Sequence, residues 1–334
     1  MEVKPFSLLN LPNNAVMQVI GTMRHFQIVT FSMISKRTQS LVQNLQLTAT
    51  RFKIAILSNF MIYVSFGEDY FIIGFSYTPM QERPDLLRVD DTSYMMQVFA
   101  ADEEYEYSTM LSVRHWMEHL QSIYKCSKPY TMLILGETGL HYETDSLQKT
   151  FSDCTAIRVV DFSAENTQKI SNLFLPNLNC LELKSQTAYP ITDIQIRNWE
   201  FFAVETPEQV TLDYLLMFNA SICLIEHSEN LDSMNIRTFL KSWMKGSHRQ
   251  MQYFSVKLWT DPFSADTVLK GVKHKEMPKD TGRKAKERFL ARCRWLESIH
   301  GGYDIRSRYG GLATVWITNL ADEDYSRVEV FVWD

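Results

Sequence analysis

The chain has 334 residues, of which 45% are hydrophobic and 13% aromatic, and its formal net charge at pH 7 is −5. This composition is typical of a folded globular protein, and the acidic balance argues against a protein built mainly to neutralise nucleic-acid phosphates. The five cysteines are odd in number and never form a C-x-x-C pair, which argues against a disulfide framework and against a cysteine zinc site.

The first residues, Met1 to Phe6, lack the charged start and the apolar core of a signal peptide. No run of about 18 apolar residues, the length that a membrane-spanning helix needs, occurs anywhere in the sequence. We therefore expect a protein of the cytoplasm or nucleus that has no membrane partner.

Helical spacing of apolar residues extends from Leu11 to Leu45. Residues with this spacing are Val16, Met17, Val19, Ile20, Ile28, Phe31, Ile34 and Leu41. The pattern predicts two or three short helices, the first capped by Asn13 or Asn14. So small a unit buries little surface alone and gains stability from packing against something else, which is typical of a docking module.

Residues 51–101 favour strands instead. Two apolar runs, at residues 60–64 and 70–75, flank the turn sequence Gly67-Glu68-Asp69 and predict a β-hairpin. Residues 79–91 contain Pro79 and Pro84 among charges and predict a surface loop, and residues 108–124 predict a helix.

After that helix, short apolar strands alternate with helical segments, which predicts an α/β domain. The predicted strands are residues 130–135, 156–162, 178–183, 221–226 and 253–259. A closing antiparallel set is predicted at residues 303–306, 312–317 and 327–333, with Gly310-Gly311 supplying a turn. The aromatic cluster Trp199, Phe201 and Phe202 is interpreted as core rather than as a recognition surface.

The spacing of Leu175, Leu178, Leu181 and Leu183 is that of a leucine-rich repeat, in which the strand leucines point inward. The distances between the candidate strands are uneven. The prediction is therefore a set of irregular leucine-rich-repeat-like βα units, with an irregular α/β domain as the alternative.

Two motifs suggest other functions. His115, Glu118 and His119 match the H-x-x-E-H pattern of inverted zinc peptidases, although the third ligand that such a site needs is not evident. Residues 283–294 are rich in lysine and arginine and show helical spacing, which predicts a basic amphipathic helix able to meet RNA or an acidic partner. A solvated charged face is the favoured interpretation of that helix, and an amphipathic helix with two histidines is the favoured interpretation of the other motif.

The N-terminal residues resemble an F-box. The resemblance lies in Pro5-Phe6-Ser7-Leu8-Leu9-Asn10-Leu11-Pro12, in Val16-Met17-Gln18-Val19-Ile20 and in residues 28–37, which end in Ser35-Lys36-Arg37. The sequence departs from the usual F-box pattern at Asn14, at His25-Phe26 and at Thr38.

Residues 235–247 are similar to the helix signature of the F-box-associated type 2 domain, and residues 303–308 with Phe331-Val332-Trp333 are similar to its C-terminal strands. The two resemblances imply an F-box at residues 4–50 and an F-box-associated α/β domain for substrate recognition at residues 51–334, an α+β to α/β fold class. They also imply a non-catalytic substrate receptor of a cullin-RING ubiquitin ligase.

In such a receptor the F-box binds a Skp-type adaptor and, through it, a cullin, while the second domain holds an unknown protein substrate. No cofactor and no metal are expected. The residues carried over for adaptor contact or its immediate support are Pro5, Leu8, Leu11, Pro12, Val16, Ile20, Ile28, Phe31, Ser35 and Lys36.

Overall fold

The computed structural model describes thirteen segments of the chain, which form two compact units, Met1–Ala156 and Ile157–Asp334. The described segments are residues 8–56, 59–77, 94–100, 103–108, 111–126, 131–135, 142–160, 172–184, 197–205, 210–258, 264–284, 298–320 and 325–333. The predicted loop at residues 79–91 lies outside them.

The first unit combines short helices with a sheet. Its described helices are α1 (Asn13–Gly21), α2 (His25–Ser32), α3 (Lys36–Asn44), α4 (Val113–Ile123) and α5 (Thr144–Thr150). Its described strands are β1 (Thr48–Ala49), β2 (Arg51–Ile56), β3 (Phe60–Phe66), β4 (Asp69–Tyr77), β5 (Tyr94–Ala100), β6 (Glu103–Ser108), β7 (Lys125–Cys126) and β8 (Thr131–Leu135). The helices predicted near the N-terminus and at residues 108–124 are confirmed.

The strands of this unit lie in the order β8-β2-β3-β4-β5-β6, and β1 pairs separately with β7. Strand β2 runs parallel to β8, and the remaining neighbours in that order are antiparallel. The predicted hairpin is confirmed: β3 and β4 meet at a turn where Gly67 has φ +69°. A left-handed backbone of this kind favours glycine, because glycine has no Cβ to clash.

The second unit is built on a mixed sheet. Its described strands are β9 (Ala156–Val160, which starts at the unit boundary), β10 (Cys180–Lys184), β11 (Asn198–Glu205), β12 (Asn219–Ser228), β13 (Tyr253–Leu258), β14 (His274–Glu276), β15 (Gly282–Lys284), β16 (Ser298–His300), β17 (Tyr303–Arg306), β18 (Leu312–Leu320) and β19 (Tyr325–Trp333). Its described helices of four or more residues are α6 (Leu212–Met217), α7 (Ser233–Met244) and α8 (Ala265–Val268).

Strands β10 to β13 are parallel neighbours, and β13 then pairs antiparallel with β19. Strands β19, β18, β17 and β14 continue the sheet in antiparallel fashion, which confirms the predicted closing set. Leucine-rich-repeat-like units are not confirmed. The parallel strands end in an antiparallel group, so the described residues show a mixed sheet rather than one repeated βα unit.

Aromatic side chains fill the core of the second unit. Trp199, Phe201 and Phe202 are at most 5% exposed, which confirms their interpretation as core. Phe239 of α7 packs on Phe254 of β13 with ring centroids 4.5 Å apart, so the helix covers one face of the sheet. No helix in the described part of the chain has the length and the apolar character needed to cross a bilayer.

Candidate functional site

The helical module, residues 8–47, has a core of its own. Val16 and Ile20 lie one helical turn apart on α1 and are 0% exposed, and Ile28 of α2 is 2% exposed. Residues four apart share one face of a helix, so Val16 and Ile20 point into the protein from the same face of α1. Of the residues predicted to contact or support an adaptor, these three are buried.

The remaining predicted residues of the module lie at its surface. Leu8, Leu11 and Phe31 are partly exposed, and Pro12, Ser35 and Lys36 are exposed; Pro5 lies outside the described residues. The predicted cap is absent, because Pro12, which has no capping side chain, stands at the N-cap position and α1 begins at Asn13.

Two further apolar residues, which the predicted site did not include, extend into solvent. Val19 on α1 is 38% exposed, and Ile34 in the turn between α2 and α3 is 69% exposed. With Leu11 and Pro12 they form what we call the exposed apolar set. Pro12, Val19 and Ile34 are exposed and Leu11 is partly exposed, so this short module leaves several apolar side chains in contact with solvent.

The turn before α3 is fixed by reciprocal hydrogen bonds. The hydroxyl of Ser35 accepts the backbone N–H of Thr38 at 3.2 Å, and the hydroxyl of Thr38 accepts the backbone N–H of Ser35 at 2.9 Å. This is a capping box. Thr38, which stands where the F-box pattern often has tryptophan, is 0% exposed and closes the box. The guanidinium of Arg37 also donates to the carbonyl of Leu9 at 3.1 Å and holds the start of the module against α3.

The module packs on the rest of the first unit through His25 and Ser32 of α2. The hydroxyl of Tyr124 donates to the carbonyl of His25 at 3.0 Å, and the imidazole of His25 stacks on Phe66 with ring centroids 3.4 Å apart. The hydroxyl of Ser32 donates to the carbonyl of Val29 at 2.6 Å, so it accepts a hydrogen bond from Nε2 of His119 at 2.7 Å.

Burial makes this contact sensitive to pH. Burial lowers the pKa of His119. Burial also lowers the pKa of His25, and the negative charge of Asp69 opposes this shift with a smaller effect. A histidine whose folded pKa lies below the unfolded value of about 6.5 favours folding at higher pH and loses that contribution as pH falls below about 6.5. The module is therefore held less firmly below about pH 6.5 than at neutral pH.

We expect the first unit to be less stable to urea at pH 5.5 than at pH 7.5, and His119→Gln to reduce that difference. The urea midpoint measured by circular dichroism at both pH values checks this. His115→Gln, at an exposed position of the same helix, is the matched control and should keep the wild-type dependence. Equal pH dependence in wild type and His119→Gln would contradict the assignment.

The zinc-peptidase hypothesis has no support. The hydroxyl of Ser112 lies 2.9 Å from Nδ1 of His115, the carboxylate of Glu118 accepts a hydrogen bond from Arg114 at 2.9 Å, and His119 faces Ser32. The three side chains therefore do not converge on one point. Among the described residues, no group of three or more His, Cys, Asp or Glu side chains could hold a metal ion.

The prediction of a basic helix at residues 283–294 is wrong for the part that the structure describes. Gly282–Lys284 forms strand β15, which pairs with β16, and residues 285–294 lie outside the described part. Arg283 does not extend toward solvent as a nucleic-acid contact would. Its guanidinium donates to both carboxylate oxygens of Asp304, at 2.7 and 2.8 Å.

The core between β12, β13 and α7 holds a small cavity lined mainly by apolar side chains, among them Phe218, Phe239 and Phe254. It leaves room for about one water molecule, far less than a small-molecule site needs. The only ring nitrogen in its lining is on His248, whose Nδ1 lies 2.6 Å from the carbonyl of Phe218. This cavity is therefore too small to serve as a small-molecule site.

Comparison with known families assigns two parts of the chain. Residues 8–50 match the F-box domain, and residues 190–256, which include β11, α6, β12 and α7, match the F-box associated family. Neither a search of curated proteins nor a search of solved structures found a match. The chain therefore contains an F-box domain at its N-terminal side and an F-box associated domain toward its C-terminal side.

Proposed function

We propose that this chain is the substrate-recognition subunit of a cullin-RING ubiquitin ligase. Its F-box binds a Skp-type adaptor and through it a cullin, and its C-terminal domain binds the target protein, in the cytoplasm or nucleus. The match of residues 8–50 to the F-box domain carries the proposal, because F-box domains bind adaptors of this type.

The surface of the module supports adaptor binding. In the exposed apolar set, Ile34 is 69% exposed and Val19 is 38% exposed, and Leu11 is partly exposed. Covering apolar surface stabilises a complex by about 25 cal/mol per Å² before the costs of association. The buried residues Val16 and Ile20 shape the module from inside, so we assign them to support rather than to contact.

The proposed role requires no catalytic group from this chain. A receptor accelerates ubiquitin transfer by holding an acceptor lysine of the target near the activated ubiquitin, which raises the effective concentration of the lysine. The second domain then needs only a surface that holds its target.

Leu11→Ala combined with Pro12→Ala is expected to weaken adaptor binding by about tenfold or more, because the variant removes apolar surface that the proposed complex would cover. The test is co-expression with a Skp-type adaptor, followed by size-exclusion chromatography with light scattering. Wild type should elute as a one-to-one complex and the double variant should elute alone.

The matched control is Gln43→Ala with Asn44→Ala, two exposed polar residues at the end of α3, which should keep the complex. Circular dichroism should show wild-type helicity in both variants. A wild-type chain that forms no complex with an adaptor would overturn the proposal, and an unimpaired Leu11/Pro12 variant would overturn the assigned surface.

A further inference from the structure

An exposed tyrosine of the second unit lies between two arginines. Tyr309, in the turn between β17 and β18, is 55% exposed. Its hydroxyl accepts a hydrogen bond from Arg249 at 2.6 Å and another from Arg308. The two guanidinium carbons lie 4.4 and 4.6 Å from the centre of the tyrosine ring, within the range of cation–π attraction.

Both turns that carry these side chains are fixed by the backbone. The N–H of Arg308 donates to the carbonyl of Met244, the last residue of α7, at 2.8 Å. Gly246 follows with φ +100°, and a Cβ there would lie only 2.2 Å from the ring of Tyr309. Glycine is therefore required for the tyrosine to lie against the end of the helix, and the arrangement exists before any ligand arrives.

The two positive charges are not neutralised locally. Arg249 and Arg308 are exposed, and neither has a carboxylate partner among the described residues; the neighbouring Lys245 is also exposed. The carboxyl end of α7 contributes a partial negative charge of about half a unit, which offsets only a fraction of the two positive charges of Arg249 and Arg308. Each guanidinium has five N–H donors, most of which remain free, and the tyrosine hydroxyl keeps its own proton as a donor.

We propose that Arg249, Arg308 and Tyr309 form a clamp for an oxyanion, which takes a carboxylate or phosphate side chain of a target peptide. Forked guanidinium donors fit both groups, and an anion bound by both arginines relieves the repulsion of the two charges. The hydrogen bonds from Arg308 and Arg249 also lower the pKa of Tyr309, consistent with a site that favours negative charge. The assignment of the ligand to a target peptide rests on the proposed receptor function.

The test uses the full chain and three fluorescein-labelled peptides that share a Gly/Ser frame and carry Gln, Glu or phosphoserine at the centre. Fluorescence polarisation should show the Glu or the phosphoserine peptide binding about tenfold tighter than the Gln peptide, with the preference falling as salt rises. A preference for one of the two anionic peptides identifies the group that the clamp takes.

Arg249→Gln with Arg308→Gln should abolish the preference, and each single variant should lose part of it. Lys270→Gln with Lys273→Gln removes the same charge at other exposed positions of this unit and should keep the preference. Thermal unfolding followed by circular dichroism verifies the fold of each variant. Equal binding of the three peptides by wild type, or an unchanged preference in the double arginine variant, would overturn the clamp.

Adaptor co-elution of the same preparation separates this proposal from the receptor function. If the chain binds the adaptor but shows no preference for the anionic peptides, the clamp is disproved and the receptor function is not. If the chain prefers the anionic peptides but binds no adaptor, the receptor function is disproved and the clamp is supported.

Discussion

Ile20→Ala is expected to lower the free energy of unfolding of the first unit by about 2–5 kcal/mol, the usual cost of such a truncation in a core. Ile20 is 0% exposed, and the smaller side chain leaves a cavity beside Val16 that the short helices cannot fill. Adaptor binding should fall together with stability, because the module loses its shape. Urea denaturation monitored by circular dichroism measures the effect.

The neighbouring residue provides the control. Val19→Ala changes an apolar side chain of the same helix that is 38% exposed, so its cost in stability should stay within about 0.5 kcal/mol. Its adaptor affinity should nevertheless fall if Val19 belongs to the contact surface. Equal losses of stability in the two variants would show that the division into core and surface is wrong.

Phe202→Ala is expected to cost about 3–5 kcal/mol in the second unit. Phe202 is 0% exposed in strand β11, which lies between β10 and β12, and its ring centroid lies 4.5 Å from that of Phe218. Its register neighbours, Leu181 on β10 and Cys223 on β12, are buried as well, so no flexible side chain can fill the cavity. The urea transition of the second unit is the measurement.

Phe202→Leu is the matched variant, since it keeps most of the volume and the apolar character of the side chain. Its cost should be about 1.5 kcal/mol or less if volume, rather than the aromatic contacts, dominates. If the free energy of unfolding of Phe202→Ala lies within about 1 kcal/mol of the wild-type value, the packing described for β11 is contradicted.

The elements that the sequence predicted well are those determined locally. The hairpin of β3 and β4 follows from two apolar runs around Gly67, and α4 follows from the spacing of its buried residues. The basic segment failed for the opposite reason. Its described start, Gly282–Lys284, is a strand because it pairs with Ser298–His300, and such distant pairing leaves no mark on local spacing.

The candidate site shows the same limit. Val19 and Ile20 are adjacent apolar residues, and periodicity does not tell which of them faces solvent; the packing of α1 decides it. The clamp could not be predicted from the sequence, because Arg249 and Tyr309 lie 60 positions apart. They meet because the turn between β17 and β18 contacts the end of α7. An exposed tyrosine beside an arginine is too common to be a signal.

The attachment of the helical module has a mechanical consequence. Only residues 45–47 separate α3 from β1, β1 pairs with β7, and the hydroxyl of Tyr124 holds the carbonyl of His25. The module is thus joined to the sheet of its own unit by a short connection, a strand pairing and a hydrogen bond. In the proposed ligase, an adaptor that binds the module would therefore also set the orientation of this sheet.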